Sequence, residues 1–204
     1  EMKNYAIDRH QIEADKVSII PNFVDVEFQS SEDPPVRDHR TVCYVGRLVP
    51  EKNVGALVDA VAGVDAKLLI LGDGPERKNL EARAERNGSN VHFLGTIPFP
   101  DVSRHLHSSN LFVLPSLWEG QPKALMEAMA AGTAVIGADS PGIRDLITNG
   151  ENGVLCRTSA ESIRESIVAL LNNDDFRTRL AKNGREYIQH NFSLNHVVEK
   201  EIEL

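Results

Sequence analysis

Between residues 41 and 172, short apolar runs of strand length alternate with longer stretches whose apolar positions recur every three to four residues. The runs fall at 41–45, 67–71, 91–94, 111–114, 134–136 and 153–155, and the helical patterns at 53–62, 75–87, 100–107, 122–131, 141–147 and 160–172. Strands separated by helices imply a parallel sheet covered on both faces, because a parallel connection needs a crossover long enough to hold a helix. Gly63, Gly88 and Gly132 stand where helices close, as C-terminal caps do. The fold class expected is therefore α/β: a doubly wound, parallel, six-stranded Rossmann-like sheet in the order 3-2-1-4-5-6. Its ligand crevice would open at the carboxyl ends of strands one and four, where the winding reverses.

The flanks are less regular. Residues 1–16 are polar and weakly helical, 17–20 read as a strand leading into Pro21-Asn22-Phe23-Val24-Asp25, and 29–40, with Pro34-Pro35 and many charges, read as a linker. Residues 174–191 and 193–204 read as two further helices parted at Phe192-Ser193. A chain that starts mid-structure and crosses a linker is expected to be part of something longer.

Composition narrows the function classes. The 204 residues are 41% hydrophobic and 25% charged, with a net charge of −8, and Lys and Arg form no stripe, so binding of nucleic acid by counterion release is disfavoured. No apolar run approaches the roughly 18 to 20 residues of a membrane span, and the first residues lack the apolar core of a signal peptide, so a cytoplasmic location is expected. Cys43 and Cys156 each lie in an apolar run with no metal-ligand spacing around them, and read as two buried thiols. His92, His105 and His107 read as packing or hydrogen-bonding residues.

The most informative stretch is 115–132, where an apolar strand ends, a turn exposes Glu119, and a helix opens at Pro122 with Glu127 inside it. Pro122 suits the first helical position, since its fixed φ is already helical and its missing N–H would be an orphan there. The amides of Lys123 and Ala124 and the positive end of the helix dipole then face the loop, as a phosphate requires. Glu119 and Glu127 flank that end, and a carboxylate accepts naturally from a vicinal diol. The bland reading keeps Glu127 paired with Lys123 and Glu119 solvated.

Strand order would bring the loop at 46–52 opposite this helix, although some seventy residues separate Lys52 from Glu119. Arg47 offers a planar fork to phosphate oxygens and Lys52 a mobile point charge, a pair able to neutralise a diphosphate without a metal. Gly72-Asp73-Gly74-Pro75 lacks the continuation of a P-loop and the third glycine of a dinucleotide fingerprint, and reads mainly as a tight turn with Pro75 starting the next helix.

These motifs resemble one family. Gly46-Arg47-Leu48 with Glu51-Lys52, Leu71-Gly72-Asp73-Gly74-Pro75, Phe93-Leu94-Gly95, and Glu119-Gly120 with Glu127 through Gly132 look like the donor-binding half of the retaining glycosyltransferases with two Rossmann-like domains, the GT-B fold, family 4 (group 1). The resemblance covers roughly residues 17–192. It implies an interdomain segment and linker at 1–40 from an absent N-terminal domain, a nucleotide-sugar donor domain at 41–192, and a final helix at 193–204 that returns to the N-terminal domain. Arg47 and Lys52 would bind the donor diphosphate and Glu127 the ribose hydroxyls. Glu119 and the backbone after it would hold the transferred sugar, and Thr96 and Ile97 would lie against the base. The donor set implied is Gly46, Arg47, Lys52, Thr96, Ile97, Glu119, Gly120, Gln121, Pro122, Lys123, Ala124, Leu125 and Glu127, with Arg47, Lys52 and Glu119 closest to the chemistry. Where relatives often read Glu-Gly-Phe-Gly-Leu-Pro, this chain has Glu119-Gly120-Gln121-Pro122-Lys123-Ala124, so Pro122 removes one amide donor. Lys123 either adds charge near the β-phosphate or pairs with Glu127.

The activity implied for the complete protein is hexosyl transfer from a UDP or GDP sugar to an acceptor hydroxyl with retention, without metal or cofactor, in polysaccharide or glycoconjugate synthesis. The acceptor, a sugar, lipid-linked sugar or other hydroxyl, would be held mainly by the absent domain, and the whole enzyme is compatible with peripheral association at the inner face of a membrane. The donor half alone is expected to be inactive. Two rivals stand beside this reading: an inactive nucleotide-sugar-binding module, and a dinucleotide-dependent oxidoreductase for which Asp73 is the sole candidate ribose acid.

Overall fold

The computed structural model describes Ile7, Arg9, His10 and residues 13–26 and 40–202. Six strands, β1 Thr41–Val45, β2 Lys67–Leu71, β3 Val91–Gly95, β4 Leu111–Leu114, β5 Ala134–Ala138 and β6 Val154–Cys156, form one sheet. Their order is β3-β2-β1-β4-β5-β6, every pair is parallel, and the winding reverses between β1 and β4 as the usual doubly wound order predicts. Every residue of β4 and β5 is buried, because the strands inside a doubly covered sheet have no solvent face. Edge strand β3 instead alternates between half-buried and exposed positions until Gly95.

Among the described residues seven helices accompany the sheet: α1 Val54–Val61, α2 Arg77–Asn87, α3 Phe99–Ser108, α4 Lys123–Ala130, α5 Ala160–Leu171, α6 Asp174–Phe192 and α7 Leu194–Ile202. One group packs α1 against α2 and α5, the other α4 against α3 and α6. One continuous core results, with Tyr44, Phe112, Leu57, Leu106, Leu125 and Met129 among its fully buried members. Gly88 ends α2 in the left-handed region at φ +68°, its N–H shared by the carbonyls of Ala84 and Glu85.

Three local expectations are corrected. Residues 141–147 form successive turns rather than a helix. The apolar spacing there is real, since Ile143, Leu146 and Ile147 are buried, but Gly142 adopts φ +79°, outside the helical region. Residues 17–20 form no strand: Ile19 and Ile20 are exposed, and only Val24 finds a bridging partner, at Ser193. A β-branched run becomes a strand only where an edge is there to receive it. Finally, Pro122 caps α4 with extended backbone, and the helix starts at Lys123, while Pro75 precedes α2 by a turn. The predicted linker falls largely outside the described residues, as does most of 1–12. The predicted break at Phe192-Ser193 is present, with Val24 bonded to both sides of it: its N–H donates to Phe192 and its carbonyl accepts from Leu194.

Candidate functional site

Pairing of Val42 with Leu111 and Cys43 with Phe112 sets the ends of β1 and β4 side by side, so the loops that follow them must meet. They do so through backbone first. The N–H of Leu117 donates to the carbonyl of Glu51 at 2.9 Å, and the Asn53 amide bridges the carbonyls of Pro115 and Thr158. Asn53 itself turns the chain into α1 with φ +52°.

Across this junction the Lys52 ammonium reaches Oε1 of Glu119 at 2.6 Å, with the two side chains 19% and 10% exposed. The solvated Glu119 of the bland reading is thereby excluded. Behind Glu119 lies the turn that sequence analysis took for a helix: the Glu119 N–H donates to the Pro141 carbonyl at 3.0 Å, and the Ser140 hydroxyl to the Ser116 carbonyl at 2.9 Å. A Cβ on Gly142 would stand 2.5 Å from the Gly120 oxygen and nearer still to that of Glu119, so only glycine lets this turn support the loop. The buried Ser116 hydroxyl has no partner among the described residues.

The first turn of α4 begins four residues after Glu119. The Pro122 carbonyl accepts from Leu125 and Met126, which leaves the amides of Lys123 and Ala124 ahead of the first intrahelical bond. Glu127, one turn further in, is buried, and burial pushes its carboxyl above the ordinary range, partly offset by the Lys123 ammonium. Lys123 makes no ion pair with Glu127 among the described residues; its Nζ sits 5.8 Å from the ring of Phe23. Gln121 is tied to the same early segment, accepting from the Asn22 N–H at 2.6 Å and from its side-chain amide at 3.0 Å. Neither Asn22 nor Pro141-Gly142 was among the predicted site residues. The Pro-Gly pair, read as turn chemistry rather than as part of an apolar period, carried the signal for the second.

Arg47 is not at the pair. Its guanidinium is on the rim, 76% exposed and 3.8 Å from Glu51. It borders a cavity of about 280 Å³ at the ends of β1, β2 and β3, walled by Val45, Leu71, Ile97 and Val102 with Gly46, Gly72, Asp73 and Thr96. The structure thus brings Gly46, Arg47, Thr96 and Ile97 together there, and Lys52 and Glu119 together where the loops after β1 and β4 meet. Backbone bonds hold the loops around the cavity: Gly46 N–H to the Leu71 carbonyl, Leu48 N–H to the Asp73 carbonyl, and Glu76 N–H to the Leu48 carbonyl. A Cβ on Gly72 would press on the Gly46 backbone, and one on Gly74 would lie 2.7 Å from the Leu48 nitrogen. That is the tight turn expected of Gly72 to Pro75. Asp73 is bonded to its neighbour Gly74 and paired with Arg77 at 3.3 Å.

A larger cavity of about 360 Å³, between the starts of α1 and α5, contains none of the predicted residues and is crossed by the Asp59–Arg83 ion pair at 2.7 Å. The histidines pack or bond as expected: Nδ1 of buried His107 lies 2.8 Å from the Ser103 carbonyl and Nε2 of exposed His92 lies 3.1 Å from Asn90. Burial lowers the pKa of His105. Cys43 and Cys156 are free and buried. Among the described residues no cluster of three or more His, Cys, Asp or Glu is placed to hold a metal ion, and no helix is long and apolar enough to cross a membrane.

Comparison with known proteins identifies the family. Residues 25–187 match the family described as glycosyl transferases group 1. The chain is 33% identical over 182 residues to phosphatidyl-myo-inositol mannosyltransferase of Mycobacterium leprae, a match covering 83% of this chain and 48% of that protein. It is 31% identical over 152 residues to an uncharacterized glycosyltransferase of Methanocaldococcus jannaschii, covering 74% of this chain and 43% of that one. Among solved structures, Anabaena Alr3699/HepE in complex with UDP and glucose superposes with a TM-score of 0.86 at 22% identity, over 98% of this chain and 59% of that chain, a likeness of fold. The chain spans about half the length of the curated relatives it matches. A family match running through all six strands, the β1/β4 crevice and the helix behind it leaves one assignment: the chain belongs to the group 1 glycosyl transferases.

Proposed function

We propose that this chain is the donor-binding half of a hexosyltransferase, which moves the sugar of a nucleoside diphosphate sugar to an acceptor hydroxyl with retention at the anomeric carbon. The observation that carries the reading is the meeting of the loops after β1 and β4, where Lys52 pairs with Glu119 a few residues ahead of the free first-turn amides of α4. In this reading the apolar cavity at Thr96 and Ile97 takes the base, Lys52 and the start of α4, with Arg47 from the cavity rim, take the diphosphate, and Glu127 and Glu119 take ribose and hexose hydroxyls. Two of the similar proteins are consistent with it: the Mycobacterium leprae relative is a mannosyltransferase, and the Anabaena structure of the same fold holds UDP and glucose.

In this reading the bond between the anomeric carbon and the β-phosphate oxygen breaks while the acceptor oxygen bonds the same face, and the acceptor proton passes to the departing phosphate. Lys52, Arg47 and the α4 amides stabilise the charge that gathers on the diphosphate, the kind of electrostatic term that dominates many such reactions. Glu119 orients the sugar and forms no covalent adduct. Gly120, Gln121 and Pro122 shape the sugar side of the loop, and Leu125 packs the helix that presents it. The apolar residues Leu194, Val198 and Ile202 left exposed on α7 would pack on an N-terminal acceptor domain. Such an enzyme would work in the cytoplasm.

Titration calorimetry of the chain with UDP, GDP and NAD tests the reading. One of the diphosphates should bind, and Lys52→Ala should weaken it by about 1.5 to 3 kcal/mol, the range for a hydrogen bond to a charged group. Arg47→Ala should weaken it in the same sense. Tight NAD binding without a response to either diphosphate would refute the reading, as would unchanged affinity in both variants.

A further inference from the structure

We infer that Glu119 is a resident counter-ion for Lys52, and that its exchange makes the site prefer an intact nucleoside diphosphate sugar over the nucleoside diphosphate left after transfer. The inference rests on the donor-site reading above and goes beyond it. Lys52 Nζ and Glu119 Oε1 are 2.6 Å apart, across 67 residues of sequence, with little of either side chain in water. Both backbones are pinned close by, Glu51 through Leu117 and Glu119 through Pro141. This pair is therefore held from two sides, unlike a loose surface ion pair.

A phosphate can use the Lys52 ammonium only by taking it from Glu119. The carboxylate, 10% exposed, is then left beside a polyanion without its cation. Leaving a buried charged acceptor unsatisfied costs more than the bond it made is worth on balance. A hexose on the β-phosphate brings hydroxyl donors that re-satisfy Glu119, whereas a free diphosphate that has released the transferred proton to solvent brings none there and adds terminal phosphate charge. The intact donor therefore satisfies both partners of the broken pair and the product satisfies one. Only hydrogen bonds are exchanged, and the effect assists product release.

The test compares the unaltered chain with Glu119→Gln by calorimetry, using UDP with UDP-glucose and GDP with GDP-mannose. Fluorescence of Trp118, the one tryptophan of the sequence and the residue before Glu119, gives a second readout. Glu119→Gln should bind the free diphosphate about tenfold tighter, from ~1.5 kcal/mol for a charged bond no longer to be broken. It should bind the nucleotide sugar no tighter than the parent, so the ratio between the two ligands collapses. In a Lys52→Gln background the same change should lose its effect on the diphosphate, which separates the pair from general repulsion by a carboxylate. Glu119→Ala should repeat the sign, and thermal melts confirm that each variant is folded. If Glu119→Gln leaves diphosphate affinity unchanged or weakens it while Lys52→Ala also weakens it, the counter-ion role is wrong and the donor site stands. If no probe binds the unaltered chain, both fail together.

Discussion

Gly142→Ala tests how the Glu119 loop is held, and its size can be worked from the structure. Gly142 has φ +79°, and an added Cβ would lie 2.5 Å from the Gly120 oxygen and 2.7 Å from the Glu119 carbonyl carbon, where ordinary contact begins at 3.4 Å. Both neighbours are backbone, so nothing soft can swing away, and the 119–120 segment must retreat by about an ångström. The left-handed conformation alone costs an alanine about 1 to 2 kcal/mol, and a forced shift of packed backbone adds ~1 to 3 kcal/mol. A melting temperature roughly 5 to 15 °C lower is expected for a domain of this size. Gly150→Ala is the control: at φ +80° it carries the same conformational cost, but its Cβ meets nothing within 4 Å. The difference between the two variants isolates the contact with Glu119. Circular dichroism melts give the stabilities, and calorimetry with the bound nucleotide sugar should show a loss confined to Gly142→Ala. Equal melting temperatures for the two variants, with donor affinity intact in both, would refute the argument.

Other outcomes follow from burial. A Glu127 carboxyl pushed above its ordinary 4.5 by burial holds its proton better in the folded than in the unfolded chain, so stability falls as pH rises above 4.5 through the folded value. Glu127→Gln should therefore melt above the parent at pH 7 and match it near pH 4, while losing affinity for the nucleotide; parallel melting curves across that range would contradict the burial argument. Cys43, its thiol pushed up to about 12 by burial, and Cys156, up to about 11, should resist a thiol reagent in the folded chain and both react in urea. Rapid labelling of either under native conditions would mean that its strand is not sealed.

The sequence by itself determined the six strands, their helices and, through the rule for doubly wound sheets, which two loops would share a crevice. Apolar periodicity reports which side of an element is covered, and the fully buried β4 and β5 could be read as unbroken runs for that reason. The same signal misled where burial and helix parted company, at residues 141–147, whose apolar residues are buried on turns bent around Gly142. It misled again at 17–20, where apolar residues had no sheet edge to join. Only the tertiary structure decided that Lys52 is already held by Glu119, that Lys123 lies over Phe23 instead of pairing with Glu127, and that Arg47 waits on the rim of an apolar cavity. Those facts depend on the relative placement of loops dozens of residues apart, set by the packing of the whole sheet, and no local pattern of side chains encodes a distance between two charges.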